Sequence, residues 1–281
     1  MPVREACATE FYAGDCARSI ERFLQGFSPP SEPARPVAGV VPHAGWAYSG
    51  AVAAKVFETI RRKAQPETYV VFGAVHRWAR INGIYARGGW KTPFGVLEID
   101  EALAAEILAE AGEWIEDNAK VHSGEHSIEV QTPFLKYLSP QAKIVPIAVN
   151  PDSRALELGR RVGEILSQPG RRGVAIGSTD LTHYGDAYSF APAGYGRKAH
   201  QWMKENDARI IGIAEEMQGA EILQEAHEHK NACGAGALAA TVEAARAMGA
   251  GRGFLIQHTT SFDAAPEGDF EMAVGYAGLL F

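Results

Sequence analysis

Three apolar runs in this chain of 281 residues end in side chains that can bind a metal or move a proton. "VAGVVPH" ends at His43, "TYVVFGAVH" ends at His76, and "GVAIGSTDLTH" runs into Asp180 and His183. In open α/β sheets, ligands bind in the crevice beyond the carboxyl ends of the strands. Imidazoles that converge on such a place commonly hold a metal. Cys233 stands before a glycine at an expected helix start, where the helix dipole and free N–H groups favour a thiolate. "GEHSIEV" adds Glu125, His126 and Glu129, and His126 joins Asp180 and His183 as a catalytic candidate.

Each of these residues also has a plain structural reading. A lone strand-end histidine can be a hydrogen-bonded structural group, and Cys233 a small buried hydrophobe. Asp180 can be a turn former or helix cap, and Trp46 and Tyr48 can be core aromatics. The coincidence of positions is what points to a site. "HSGEH" (122–126) fits the H-x-x-E-H zinc pattern, yet Ser123-Gly124 reads as a helix entry and separates His122 from His126. His227 and His229 point to different faces of any helix. "CGAGAL" and "GAGRGF" do not form G-x-G-x-x-G after a strand, so they give little support to a dinucleotide fold.

The elements that must position these groups alternate along the chain. Buried strands are expected at 37–43, 68–76, 142–150, 173–183, 253–262 and 272–281, and irregular strands or a hairpin at 81–100. Helices are expected at 49–63, 101–112, 153–168, 196–218, 219–229 and 233–249, with one at 126–138 interrupted near Pro133. This alternation predicts a three-layer αβα fold around a mostly parallel sheet. No stretch reads as a linker or a repeat, so residues 1–281 are expected to form one domain.

Composition narrows the function. The net charge is −7 and the basic residues are scattered, which argues against a nucleic-acid binder. Three cysteines without CxxC spacing make no disulfide framework. The N-terminal residues contain no apolar signal-like core, and no apolar stretch reaches the roughly 20 residues that span a bilayer. The expectation is a cytoplasmic protein without membrane contact.

The sequence resembles the Memo family, whose prokaryotic members are often called AmmeMemoRadiSam system protein B. The matching motifs are "FYAGD", "VPHAGWAYSG", "VVFGAVH", "EHSIEVQTPFL", "GSTDLTHYG" and "NACGAGAL", in that order across nearly the whole chain. The resemblance implies a fold like that of class III extradiol ring-cleaving dioxygenases, which hold non-haem Fe(II) with two histidines and a glutamate. In the Memo family a cysteine takes the carboxylate's place. The implied metal ligands are then His43, His76 and Cys233. Asp180 and His183 would lie beside the metal, His183 where the ring-cleaving enzymes keep an acid/base histidine. The chain departs from the family at Arg77, where a second histidine is frequent, and in the small residues of "CGAGAL".

On this resemblance the expected function is that of a metal-dependent, dioxygenase-like oxidoreductase acting on a small molecule near Trp46, Tyr48 and Tyr184. Fe(II) is the first expectation for the metal. A thiolate ligand also suits copper or zinc. His183 would act as general base, with Asp180 orienting it or assisting. Two alternatives stand beside this one. Zinc or a bare Cys233 would support a hydrolase or transferase. A metal- or peptide-binding scaffold would partner AMMECR1-type and radical-SAM proteins, as the family's prokaryotic name implies.

Overall fold

The computed structural model describes residues 2–12, 14–77 and 79–281, so position 13 of the FYAGD motif lies outside them. Four apolar runs form the parallel centre of the main sheet: β1 (Ala38–Val41), β2 (Thr68–Gly73), β3 (Lys143–Ala148) and β4 (Gly173–Ser178). They lie side by side in the order β1-β4-β2-β3. Their side chains are almost all buried, as strands covered on both faces require. β5 (Phe254–Thr260) pairs antiparallel with β6 (Ala273–Leu280), which pairs antiparallel with β1. At the other edge Asn82–Ile84 runs antiparallel to β3 and parallel to Ile115–Asp117. The sheet is therefore parallel at its centre and mixed toward its edges. A small separate sheet joins Val3–Arg4 to the hairpin of Gly89–Thr92 and Gly95–Glu98.

Helices cover both faces. α1 (Cys16–Leu24) packs on α2 (Trp46–Lys63), and α2 packs on β1 and β6. On the opposite face α3 (Arg154–Leu166) packs on α5 (Ala235–Ala247), which lies on β4 and β1. α4 (Arg197–Glu215) closes a smaller apolar cluster around Tyr184, Met203 and Phe270. Three layers result, in the αβα arrangement expected.

Two elements differ from the sequence reading. α1 was not expected; its start is set by Asp15, whose carboxylate accepts the Arg18 N–H at 3.0 Å. Pro133 does not interrupt a helix. It lies in the first turn of the Thr132–Leu138 helix, where its missing N–H would have no partner, after a short helical turn at Glu129–Gln131. No helix among the described residues is long and apolar enough to cross a membrane.

α3 and α5 cross at close range because Gly159 has no side chain. A Cβ there would stand 2.2 Å from the carbonyl oxygen of Ala240, a backbone atom that cannot swing away. Gly159→Val is expected to force these layers apart and cost about 1–3 kcal/mol of stability, the usual range for overpacking. Urea unfolding read by circular dichroism checks it; an unchanged midpoint would contradict the packing described.

Candidate metal centre

Adjacent parallel strands end at one edge of the sheet, and this brings distant residues together. His43 follows β1, Asp180 follows β4, and His76 follows β2. Cys233 reaches them from the entrance of α5. Its N–H donates to the Asp180 carbonyl at 3.2 Å, and the Gly234 N–H donates to Thr179 Oγ1 at 2.9 Å. A Cβ on Gly234 would stand 2.7 Å from the Ser178 carbonyl oxygen, so only glycine lets this segment lie flat against β4. One ligand atom each from His43, His76 and Cys233 then falls within 4.8 Å of the others. His43 Nε2 is 3.2 Å from Cys233 Sγ.

Hydrogen bonds fix how the imidazoles are protonated. The Ser178 hydroxyl donates its one proton to the Ser127 carbonyl at 2.7 Å. Toward His43 Nδ1, 3.2 Å away, it can only accept. His43 therefore carries its proton on Nδ1 and offers the Nε2 lone pair. His76 Nδ1 lies 2.9 Å from Glu125 Oε1, an ionised acceptor, and also leaves Nε2 free. His183 Nδ1 donates to the Leu181 carbonyl at 3.1 Å with the same result. A carboxylate or carbonyl on the far nitrogen is how metal-binding histidines are usually oriented.

Charge is distributed unevenly among these groups. Burial, reinforced by His76, pushes His43 down to about 3, so its imidazole is neutral at pH 7. Glu125 raises His76 through their hydrogen bond. Burial alone would raise Glu125, but His76 and the Ser127 amide outweigh it and hold its carboxyl below the usual range. Burial, then the nearby Asp180, raises the Cys233 thiol. The helix entrance does not overcome this burial, and a bound metal would instead favour the thiolate by displacing the proton.

A cavity of about 620 Å³ opens beside the group, lined by His43, His76, His126, Asp180 and His183. His126 stacks between Phe11 and His76, with ring centroids 4.5 and 4.7 Å away. Burial, then His43 and His76, lowers it to about 4. Tyr48, Tyr188, Phe262 and Tyr276 supply aromatic wall. Of the three aromatics expected at the pocket, only Tyr48 is there. Trp46 turns inward, stacks on Phe134 at 4.0 Å and donates to the Val130 carbonyl. Tyr184 is fully buried against the Gly194 carbonyl.

One expected role changes with the geometry, and the H-x-x-E-H pattern is set aside as the sequence reading anticipated. Asp180 does not hydrogen-bond to His183; its Oδ1 accepts the backbone N–H groups of His43 and Ala44 at 2.7 and 3.2 Å. Asp180 thus fixes the turn that carries His43. His122 and His126 share no helix, and the His122 Nε2 donates to the Gly83 carbonyl at 3.1 Å, facing away from the pocket. Glu125 serves His76, and the zinc-protease pattern has no counterpart in the fold.

Sequence reasoning missed Arg4. Its Nε and Nη2 donate to the His122 carbonyl at 3.1 and 2.8 Å, and Nη2 to the Glu125 carbonyl at 3.0 Å. Nη1 meets Glu129 at 2.6 Å, and the guanidinium lies 4.2 Å from the centre of the Trp90 ring. Glu129 also accepts the amides of Cys7 and Ala8 and the Tyr12 hydroxyl. The loop that carries Glu125 is thereby bolted to the N-terminal segment. The one sequence signal was Glu129 itself, an acid set between Ile128 and Val130.

An αβα fold with two histidines and a cysteine converging at the strand ends defines a class of candidate metal-site proteins. The sequence profile of one family, described as Memo-like protein, matches residues 4–280, and the chain belongs to that family. Among its relatives are a MEMO1 family protein of Thermococcus kodakarensis, 35% identical over 98% of each chain, and one of Thermococcus onnurineus, 34% identical over 98% of each. A third, from Pyrococcus abyssi, is 33% identical over 98% of this chain and 97% of its own. The crystal structure of an uncharacterised protein of Escherichia coli K12 shares the fold, with a TM-score of 0.53 at 13% identity. The match covers 87% of this chain and 99% of that one.

Glu129 is fully buried and Arg4 nearly so. Burial works against Glu129, yet Arg4, Cys7 and the amides of Cys7 and Ala8 hold its carboxyl below the usual range. Glu129→Gln leaves the buried cation unanswered and is expected to cost about 3–5 kcal/mol at pH 7. A depressed carboxyl stabilises above its unfolded pKa, and that stabilisation is lost as pH falls through the folded value. Urea midpoints of the two proteins should therefore converge in acid; a gap independent of pH would contradict a charged pair.

Proposed function

We propose that the protein is a metal-dependent oxidoreductase, dioxygenase-like in ancestry, acting on a small molecule in the cavity beside His43. The observation that carries this reading is the convergence of His43, His76 and Cys233, with the Nδ1 atoms of both imidazoles engaged by Ser178 and Glu125. Two imidazoles and a thiol suit iron, copper or zinc, and iron(II) is the first expectation. A bound iron or copper ion would supply Lewis acidity and electron exchange.

The protein's own residues supply the rest. Glu125 orients His76, and Ser178 orients His43. Asp180 keeps the His43 turn in place through its two amide contacts. His183 lines the cavity with its Nε2 lone pair unused, and it takes the proton of a phenolic or enolic hydroxyl. His126, neutral at pH 7, offers a second polar face to the substrate. Tyr48 and Tyr188 flank a planar substrate and limit water around it. A metal-free Cys233 nucleophile is disfavoured, since burial raises its thiol.

Elemental mass spectrometry of protein purified without oxygen tests the reading. About one metal ion per chain is expected, lost in both His43→Ala and Cys233→Ala. Glu125→Gln should keep the fold and weaken metal affinity about 10- to 100-fold. Metal that persists in both ligand variants would refute the site. Zinc alone, lost in the same variants, would turn the reading to hydrolysis.

A further inference from the structure

The cavity beside His43 is one-sided in charge. Its described walls carry four carboxylates, Asp180, Glu267, Asp269 and Glu271, and no lysine or arginine. Asp180 stands at the inner end and is only 4% exposed. Its Oδ1 is taken by two backbone amides, while Oδ2 accepts no hydrogen bond from the described residues. Oδ2 thus keeps its acceptor capacity for a donor inside the cavity that Asp180 lines. The other three acids stand on the segment between β5 and β6, and none of them meets a cationic side chain among the described residues. Neighbouring Asp263, by contrast, is answered by Lys204 at 2.9 Å. Tyr48, Tyr188 and Phe262 also line the cavity, and the faces of such rings attract cations through their quadrupoles.

We propose that this cavity takes a small molecule bearing a protonated amine, and that Glu267, Asp269 and Glu271 select it over an anionic analogue. The volume, about 620 Å³, is that of a small-ligand site. An anion would meet three carboxylates, Glu267, Asp269 and Glu271, with no cationic side chain answering them at that end. The charge preference stands on the cavity walls alone. The idea that the other end of the same molecule meets His43, His76 and Cys233 rests on the function proposed above.

Phenethylamine and 3-phenylpropionate are matched probes that differ in charge and carry no strong metal-binding group. Their affinities for the metal-free full chain, measured by ligand-observed NMR titration at low salt, are expected to differ at least about tenfold in favour of the amine. The preference should largely vanish in Glu267→Gln/Asp269→Asn/Glu271→Gln, whose thermal midpoint should stay unchanged because all three positions are exposed. It should also weaken as salt is added. Equal binding, preference for the acid, undetectable binding of phenethylamine, or a preference unchanged in the triple variant would each overturn the proposal. Because the probes need no metal, such a failure leaves the metal reading standing, and loss of the metal reading leaves the charge preference standing.

Discussion

The imidazole of His43 sits where water scarcely reaches, and burial obliges every polar atom around it to have an assigned partner. That constraint organises the protein's working end. The Ser178 hydroxyl spends its proton on Ser127, so His43 must spend its own on Ser178 and keep Nε2 bare. Asp180 can sit beside this neutral ring because two main-chain amides share its Oδ1. Cys233 docks through the backbone of Asp180 and the hydroxyl of Thr179. If one member of this set were rotated, the neighbours' donors and acceptors would no longer match, and unmatched buried groups cost about 1–3 kcal/mol each.

The same logic continues behind the pocket. Glu125 orients His76 from a loop whose carbonyls are held by Arg4, and Arg4 is answered by Glu129. An apolar core could not fix that loop so closely, because dispersion contacts have little directional preference. A guanidinium can, because its donors form a rigid planar fork. The geometry of one candidate ligand thus traces back to a residue more than seventy positions earlier in the chain.

Much of the fold was legible because buried parallel strands are continuous apolar runs, and β1 to β4 read that way. α1 was not, since "CARSIERFL" buries only Cys16 and Ile20 fully and its one clear signal is the Asp15 cap. The histidines were legible as strand-end residues. What they touch was not, because tautomers and burial are properties of neighbours brought in from elsewhere. Trp46 and Tyr48 look alike in sequence, yet two residues of α2, just over half a turn, put the first on Phe134 and the second at the cavity wall. Cys233 shows the same limit: its helix entrance is local and legible, and the desolvation that overrules it is tertiary. Arg4 gave no local sign, for apart from Glu5 and Cys7 its partners lie beyond residue 89 in the chain.

One further consequence lies in the pairing of β6. This strand supplies Val274 and Tyr276 to the cavity and pairs with both β1 and the His183–Tyr184 segment, and it follows His43, His76 and Cys233 in the chain. On a translating ribosome the three donors therefore emerge before the wall that encloses them. The donor group and this wall of the chamber are thus completed in the order of synthesis, the donors first.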